Sequence, residues 1–259
     1  MQEVININIG DHDGILAIGD VHGNYSDFLK AVEKAEKENL YLVSLGDIVD
    51  YGTNSVETVR LMAKLIAEDK AILIQGNHER KLTRYFIGLR EQDVRVKLKG
   101  GILKTLEQLE ELSKDEFEKF VDLFFWMIDG SPLIAKFKNL RFVHGALEPA
   151  YWVSTEKTMR LNGKIRNSAY FGQVSRDEQN DDGFPIRRYD WVNKINKDVI
   201  VIVGHDIKSN EDLVIEKNGH GGQVIFTDAG SSKGGRLLSI TLKQSEDNRL
   251  FELVSHDYY

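Results

Sequence analysis

Five short segments concentrate the side chains that could bind cations or move protons. In chain order they are Gly19-Asp20-Val21-His22-Gly23, Gly46-Asp47-Ile48-Val49-Asp50, Gly76-Asn77-His78-Glu79, Val143-His144-Gly145 and Gly204-His205. Each follows a run of aliphatic residues, and together they hold four of the seven histidines. Singly, a Gly-Asp after a strand marks a tight turn, and a lone His is most simply a hydrogen-bonded loop residue. In series, the carboxylates, amide and imidazoles read as the ligands of a two-metal hydrolytic site. Two cations about 3.5–4 Å apart need an anionic bridge against their repulsion, which Asp47 can supply. Such a pair lowers the pKa of a shared water until hydroxide exists near neutral pH, and it clamps phosphoryl oxygens for in-line attack. A departing alkoxide then needs a proton. His78, beside Asn77, is the candidate general acid. His12, His220 and His256 have no comparable context.

The intervening sequence must bring these segments together. Ile15–Ile18, Tyr41–Leu45 and Ala71–Ile74 are short aliphatic runs that read as strands, each ending just before one of the segments. Between them lie two amphipathic stretches. One runs from Ser26, a candidate N-cap, to Glu38, with Phe28, Leu29, Val32 and Ala35 on one face; the other spans Val56 to Glu68. Alternating strands and helices imply a largely parallel sheet whose loops collect at the strand C-terminal ends. From 81 to 129, Leu103, Leu106, Leu109 and Leu112, then Phe117, Phe120, Val121, Phe124 and Phe125, predict a helical insert packed over the sheet, with a lid over the site as the sharper reading. Residues 149 to 188 are loop-rich, with turn signals at Asn162-Gly163 and Asp181-Asp182-Gly183. Short β runs from Val199 to Val254, separated by short turns, predict hairpins and a mixed second sheet. We expect one domain over residues 1–259.

Composition narrows the function. Hydrophobic residues at 41% and charged residues at 29% suit a globular chain. A net charge of −7 argues against a generally basic nucleic-acid-binding surface, though not against a local phosphate grip. Without cysteine there is no thiolate chemistry, and no apolar run is long enough to span a bilayer. A cytoplasmic protein with no membrane partner is expected.

The series of motifs resembles the calcineurin-like metallophosphoesterase superfamily, in its phosphoprotein-phosphatase-type branch, from Asp20 to His205 with further similarity to about Leu238. The resemblance implies an α/β fold: two mixed β-sheets forming a sandwich flanked by helices, with a dinuclear metal site at the strand ends. It implies that Asp20 and His22 bind one metal, Asp47 bridges, and Asn77, His144 and His205 complete the second. It also makes Asp50 the carboxylate that orients His78. The mixed O/N ligands suit two divalent ions, Mn²⁺ foremost, with Fe, Zn²⁺ or Ni also in range.

The resemblance breaks at two positions. Tyr51 stands where protein phosphatases of the family carry an arginine that grips phosphate, and Gln75 stands where an arginine commonly precedes the Gly-Asn-His segment. Neither a phenol nor an amide replaces a bidentate Arg–phosphate contact. In contrast, Gly163-Lys164-Ile165-Arg166, Tyr170-Phe171-Gly172, the stretch 182–187 and Thr227-Asp228-Ala229-Gly230 are similar to the phosphatase module of bacterial polynucleotide kinase–phosphatase. Arg166 and Arg187 are therefore the candidates for the missing grip. The leading expectation is hydrolysis of phosphomonoesters, with cyclic phosphodiesters in view, at nucleotide or RNA ends. A serine/threonine protein phosphatase or a dinucleoside tetraphosphate hydrolase is the alternative. A non-catalytic scaffold, the third reading, fits poorly with a complete ligand set.

Overall fold

The computed structural model describes residues 3–148, 161–181, 183, 185–246 and 250–259. Residues 149–160 of the predicted loop-rich stretch, and Asp182 and Phe184 of the segment before Arg187, lie outside them.

A short strand that the sequence pattern did not reveal, β1 (Val4–Asn6), comes first; the predicted alternation then follows as β2 (Gly14–Ile18), α1 (Tyr25–Lys37), β3 (Leu40–Ser44), α2 (Ser55–Ala67) and β4 (Ala71–Leu73). The N-cap of α1 is Asn24 rather than Ser26: the helix starts one residue before the serine, and Ser26 Oγ donates to Asn24 Oδ1 at 3.2 Å. Three helices follow, α3 (Asn77–Glu91), α4 (Ile102–Glu110) and α5 (Lys114–Gly130). Two strands that periodicity did not reveal come next, β5 (Ile134–Phe137) and β6 (Leu140–Val143). Their four residues each are too short to carry a pattern. Then come α6 (Gly163–Phe171), β7 (Val174–Gln179), β8 (Pro185–Arg187), β9 (Ile200–Val203), β10 (Val214–Lys217), β11 (Gln223–Phe226), β12 (Leu238–Gln244) and β13 (Phe251–Tyr258).

Two large sheets result. One has the order β1-β5-β6-β9-β11-β10, the other β13-β12-β2-β3-β4, and β7 pairs with β8 alone. Both are mixed. Strands β2, β3 and β4 run parallel, as do β6, β9 and β11. The predicted hairpins form at β10–β11 and β12–β13, but β11 lies parallel to β9, and β12 pairs across to β2 in the other sheet. Adjacency in sequence could not foretell that change of sheet.

The strand sequences explain the sandwich. In β2 every residue is buried, and successive side chains face opposite ways: Ile15 and Ala17 join the core between the sheets, while Leu16 and Ile18 face the helices. The inter-sheet core also takes Tyr41, Val43, Phe142, Ile200, Ile202, Ile225 and Ile240. Continuous aliphatic runs, rather than alternation, are what strands buried on both faces require.

The helical insert is part of this packing. Phe86, Phe120 and Phe124 are buried in the same cluster as Leu16, Phe28 and Met62, so α3 and α5 extend the core over α1 and α2. Aromatic edge contacts knit the insert together, with Phe86 5.5 Å from Phe124. The periodicity-based reading of a packed helical segment holds, with an interruption at 92–101. Among the described residues, no helix is long and apolar enough to cross a membrane.

Candidate active site

Six parallel strands, three from each sheet, deliver their C-terminal ends to one place. Asp20 follows β2, Asp47 follows β3, Asn77 follows β4, His144 follows β6, His205 follows β9 and Asp228 follows β11. The loops that turn the chain here are tight. His22, Asp47, Asp50, Tyr51 and His205 all have φ between 49° and 74°, half of the ten non-glycine residues with positive φ among those described. Each such residue costs about 1–2 kcal/mol, a strain the surrounding hydrogen bonds must offset. Two glycines of the motifs are explained by close approach. A Cβ on Gly76 would lie 2.1 Å from Asp47 Oδ1, and one on Gly204 would lie 2.3 Å from Asp20 Oδ1.

Backbone groups aim the ligands. The His205 N–H donates to Asp20 Oδ1 at 3.0 Å, and the His78 N–H donates to Asp47 Oδ1 at 2.9 Å. His22 Nδ1 lies 3.0 Å from the Val49 carbonyl and His144 Nδ1 lies 2.8 Å from the Leu45 carbonyl. A carbonyl only accepts, so each Nδ1 carries a proton and each ring turns its Nε2 to the cluster, where it is a lone pair whenever the ring is neutral. Burial lowers the His22 pKa to about 4, which keeps that ring neutral.

Two groups of potential ligands result, sharing Asp47. In one, ligand atoms of His22, Asp47 and His78 lie within 4.8 Å of one another; in the other, those of Asp47, His144 and His205 do. His144 Nε2 is 3.0 Å from Asn77 Oδ1, 3.2 Å from His205 Nδ1 and 3.4 Å from Asp47 Oδ2. At most one proton can sit on that nitrogen, yet three electron-rich atoms face it. Such a convergence of lone pairs fits a cation. Asp20 stands 3.9 Å from His22 Nε2, and burial, with Asp228 and Asp47 nearby, pushes its pKa well up. Desolvated carboxylates gathered without a cationic side chain between them also fit a cation. The donor set is therefore one that a pair of divalent ions would satisfy.

His78 differs from the other imidazoles. Its Nδ1 is 2.6 Å from Asp50 Oδ2, and its Nε2 is 3.8 Å from Asp47 Oδ2. Burial opposes a charged ring, but Asp47 and Asp50 outweigh it and raise the pKa to about 9. Asp50 is itself fully buried, and Thr105 of α4 donates its hydroxyl to Asp50 Oδ1 at 2.8 Å and accepts the Asp50 N–H at 3.0 Å. The insert therefore reaches the site as a buttress under the Asp–His pair.

The two arginines singled out from sequence part company. Arg187 joins the cluster: Nη2 is 3.0 Å from His205 Nε2, Nη1 donates to the Phe171 carbonyl at 2.6 Å, and Nε is 3.5 Å from Asp206 Oδ1. Arg166 does not. It pairs with Glu3 at 2.5 Å, and among the described residues it makes no contact with the cluster. Asp206, whose role the sequence left open, accepts the Tyr189 hydroxyl and faces Arg187. At the two positions that depart from the protein-phosphatase pattern, Tyr51 is partly exposed with its ring edge-on to His22 at 5.0 Å, whereas Gln75 is buried and donates to the carbonyls of Ile128 and Ser131.

Sequence reading missed Glu79 and Asp228 as members of the site. Glu79 is wholly buried and accepts the N–H groups of Asp47, Ile48 and Gly76 at 2.8–2.9 Å, tying the β3 loop to the start of α3. Its position at the third residue of a helix opened by Gly76 was the available signal. Asp228 lies within the Thr227-Asp228-Ala229-Gly230 similarity, which did not place it in the site.

The sequence pattern of calcineurin-like phosphoesterases matches residues 14–227. A bis(5′-nucleosyl)-tetraphosphatase (asymmetrical), PrpE, of Geobacillus sp. (strain WCH70) is 27% identical over 241 residues, covering 88% of this chain and 90% of that protein. The tetraphosphatase of the same name from Bacillus subtilis (strain 168) is 30% identical over 199 residues, covering 73% and 77%. A solved serine/threonine phosphatase of Saccharomyces cerevisiae shares the fold, with a TM-score of 0.57 at 16% identity over 98% of this chain and 84% of that one. The motifs, the two-sheet architecture and the match over most of the chain agree: this protein belongs to the calcineurin-like phosphoesterase family and is a metal-dependent phosphoester hydrolase.

Proposed function

We propose that the protein hydrolyses bis(5′-nucleosyl) polyphosphates, the tetraphosphate foremost, with a pair of divalent ions, Mn²⁺ foremost, held between the sheets. The observation that carries the reaction type is the pair of ligand-atom groups sharing Asp47, one of which includes His78, itself held by Asp50. Among the substrates open from sequence, the dinucleoside tetraphosphate takes precedence over the RNA end and the phosphoprotein. Relatives matching 73–88% of the chain carry the tetraphosphatase name, and Tyr51 removes a phosphate-gripping arginine that the protein-phosphatase reading needs.

Asp20, His22 and Asp47 would hold one ion, and Asp47, Asn77, His144 and His205 the other. When bound, the ions supply Lewis acidity toward phosphoryl oxygens and acidify water. The rest falls to the chain's own groups. Asp50 accepts the Nδ1 proton of His78, so the Nε2 proton faces the cluster, where a leaving oxygen can take it. A His205 ring that offers Nδ1 as a lone pair carries its proton on Nε2. Arg187 Nη2 then has no acceptor there, and a substrate phosphate is the acceptor that replaces it.

The test is a rate comparison with Mn²⁺-loaded protein on diadenosine tetraphosphate, a phosphopeptide and a nucleoside 2′,3′-cyclic phosphate. We expect diadenosine tetraphosphate to be cleaved fastest, giving ATP and AMP. A faster rate on the phosphopeptide or on the cyclic phosphate would overturn the assignment.

A further inference from the structure

Arg80, the fourth residue of α3, lies one position beyond Glu79 and was not singled out by any motif. Its guanidinium carbon sits 5.0 Å from the centre of the Tyr170 ring and 5.7 Å from that of Phe171. Tyr170 is buried and held by its hydroxyl, which donates to Gln75 Oε1 at 2.8 Å; Phe171 is 40% exposed. The platform is continuous with the candidate centre. The Phe171 ring is 6.4 Å from that of His205, and the Phe171 carbonyl takes Arg187 Nη1.

The charges of the neighbouring arginines are answered within the protein. Arg187 faces Asp206, Arg166 faces Glu3 and Arg188 faces Asp190. Among the described residues, Arg80 has no carboxylate partner and no side-chain hydrogen bond, only the two aromatic faces. A guanidinium stacked on a ring is fixed in orientation yet keeps its in-plane N–H donors, the fork that matches a phosphate. One phosphate at the cation ligands is met by those ions and by Arg187. A cation one step further out has work to do only when the substrate carries more negative charge in that direction.

We propose that Arg80, held on Tyr170 and Phe171, binds a second phosphate linked to the one that is hydrolysed, so that the site favours substrates with at least two consecutive phosphates. This rests on the reading of the Asp47 cluster as the place of hydrolysis, and it names the feature that distinguishes polyphosphates from monoesters there.

The experiment is calorimetric binding of orthophosphate and of methylene diphosphonate, an inert two-phosphoryl analogue, to Mn²⁺-loaded protein at fixed free Mn²⁺. The readout is the ratio of the two affinities. In the unaltered protein the diphosphonate should bind about tenfold or more tightly, as expected for an added charge-assisted contact. Arg80→Gln should collapse much of that ratio, and Arg80→Lys should restore part of it, as a point charge without the fork. A ratio unchanged in Arg80→Gln, or equal loss for both ligands, would overturn the proposal, the second outcome marking a merely structural role. Failure of the tetraphosphatase assignment would look different: diadenosine tetraphosphate would resist cleavage while the affinity ratio still depended on Arg80.

Discussion

The two flanks of the cation cluster are built in opposite ways. On the flank formed by the β3 loop and the insert, Asp50 is fully buried and fixed by Thr105, Glu79 ties three backbone N–H groups together, and His78 is clamped at 2.6 Å. On the flank formed by α6, β8 and the β9 loop, Arg187 is partly exposed, Phe171 is 40% exposed, and Arg80 rests on aromatic faces. A proton donor must hold its angle to a leaving oxygen, and buried, fully paired groups give that rigidity. A binding surface for a charged, extended substrate must keep its donors available to solvent until the substrate arrives. We read the first flank as the one that moves the proton and the second as the one that sorts substrates.

The contrast makes its largest prediction at His78. His78→Ala should leave bound Mn²⁺ unchanged, because its neighbours supply the ligands. Turnover of an alkyl phosphate should fall about 10²–10⁴-fold, the usual contribution of a general acid. The loss should be smaller for p-nitrophenyl phosphate and for diadenosine tetraphosphate, whose leaving groups depart with little protonation. Steady-state kinetics on the three substrates, with metal analysis of the same samples, provides the check. An equal loss on all three would assign His78 to substrate placement and erase the division between the flanks.

A smaller effect is expected one step further back. Thr105→Val keeps the shape but deletes the hydroxyl that Asp50 both receives from and donates to. It should cost about 1–3 kcal/mol of stability, from the unpaired buried carboxylate oxygen. It should also lower kcat on the alkyl phosphate about 10-fold, the low end for an outer partner of a working group, with little change in KM. Thr105→Ser should recover most of both. A lowered melting temperature with the leaving-group dependence intact would make Thr105 structural only.

How far the sequence foretold these flanks depends on the distance over which each was built. Asp20, His22, Asp47, Asn77, His144 and His205 sit at strand ends, and a strand followed by a Gly-containing turn is a local pattern, so their convergence was legible. Asp50 and His78 were legible for the same reason. Thr105 was not. It lies inside a leucine-periodic helix, and only the docking of α4 against the β3 loop, 55 residues away in sequence, gives it a partner. Arg166 and Arg187 looked alike as cations in a loop-rich stretch. What separates them is that β8 pairs back on β7 beside the His205 loop, whereas α6 turns Arg166 toward Glu3 near the N-terminus. The pairing of β11 with β9 and of β12 with β2 was equally hidden, since short aliphatic strands do not specify their neighbours.

An effect no larger than that at Thr105 belongs to the open flank. Arg187→Gln keeps a hydrogen-bonding side chain but removes the charge and the fork. It should raise KM for phosphate substrates about 10-fold, the scale of one charge-assisted hydrogen bond, and change kcat less. The loss should be similar for alkyl and p-nitrophenyl phosphates, because binding the transferred phosphate does not depend on the leaving group. That pattern is the converse of the one expected at His78, and measuring both variants on the same two esters separates the flanks by kinetics alone. Should Arg187→Gln instead lower kcat preferentially on the alkyl ester, Arg187 would be acting through His205 on the chemical step, and the open flank would share the work assigned to the buried one.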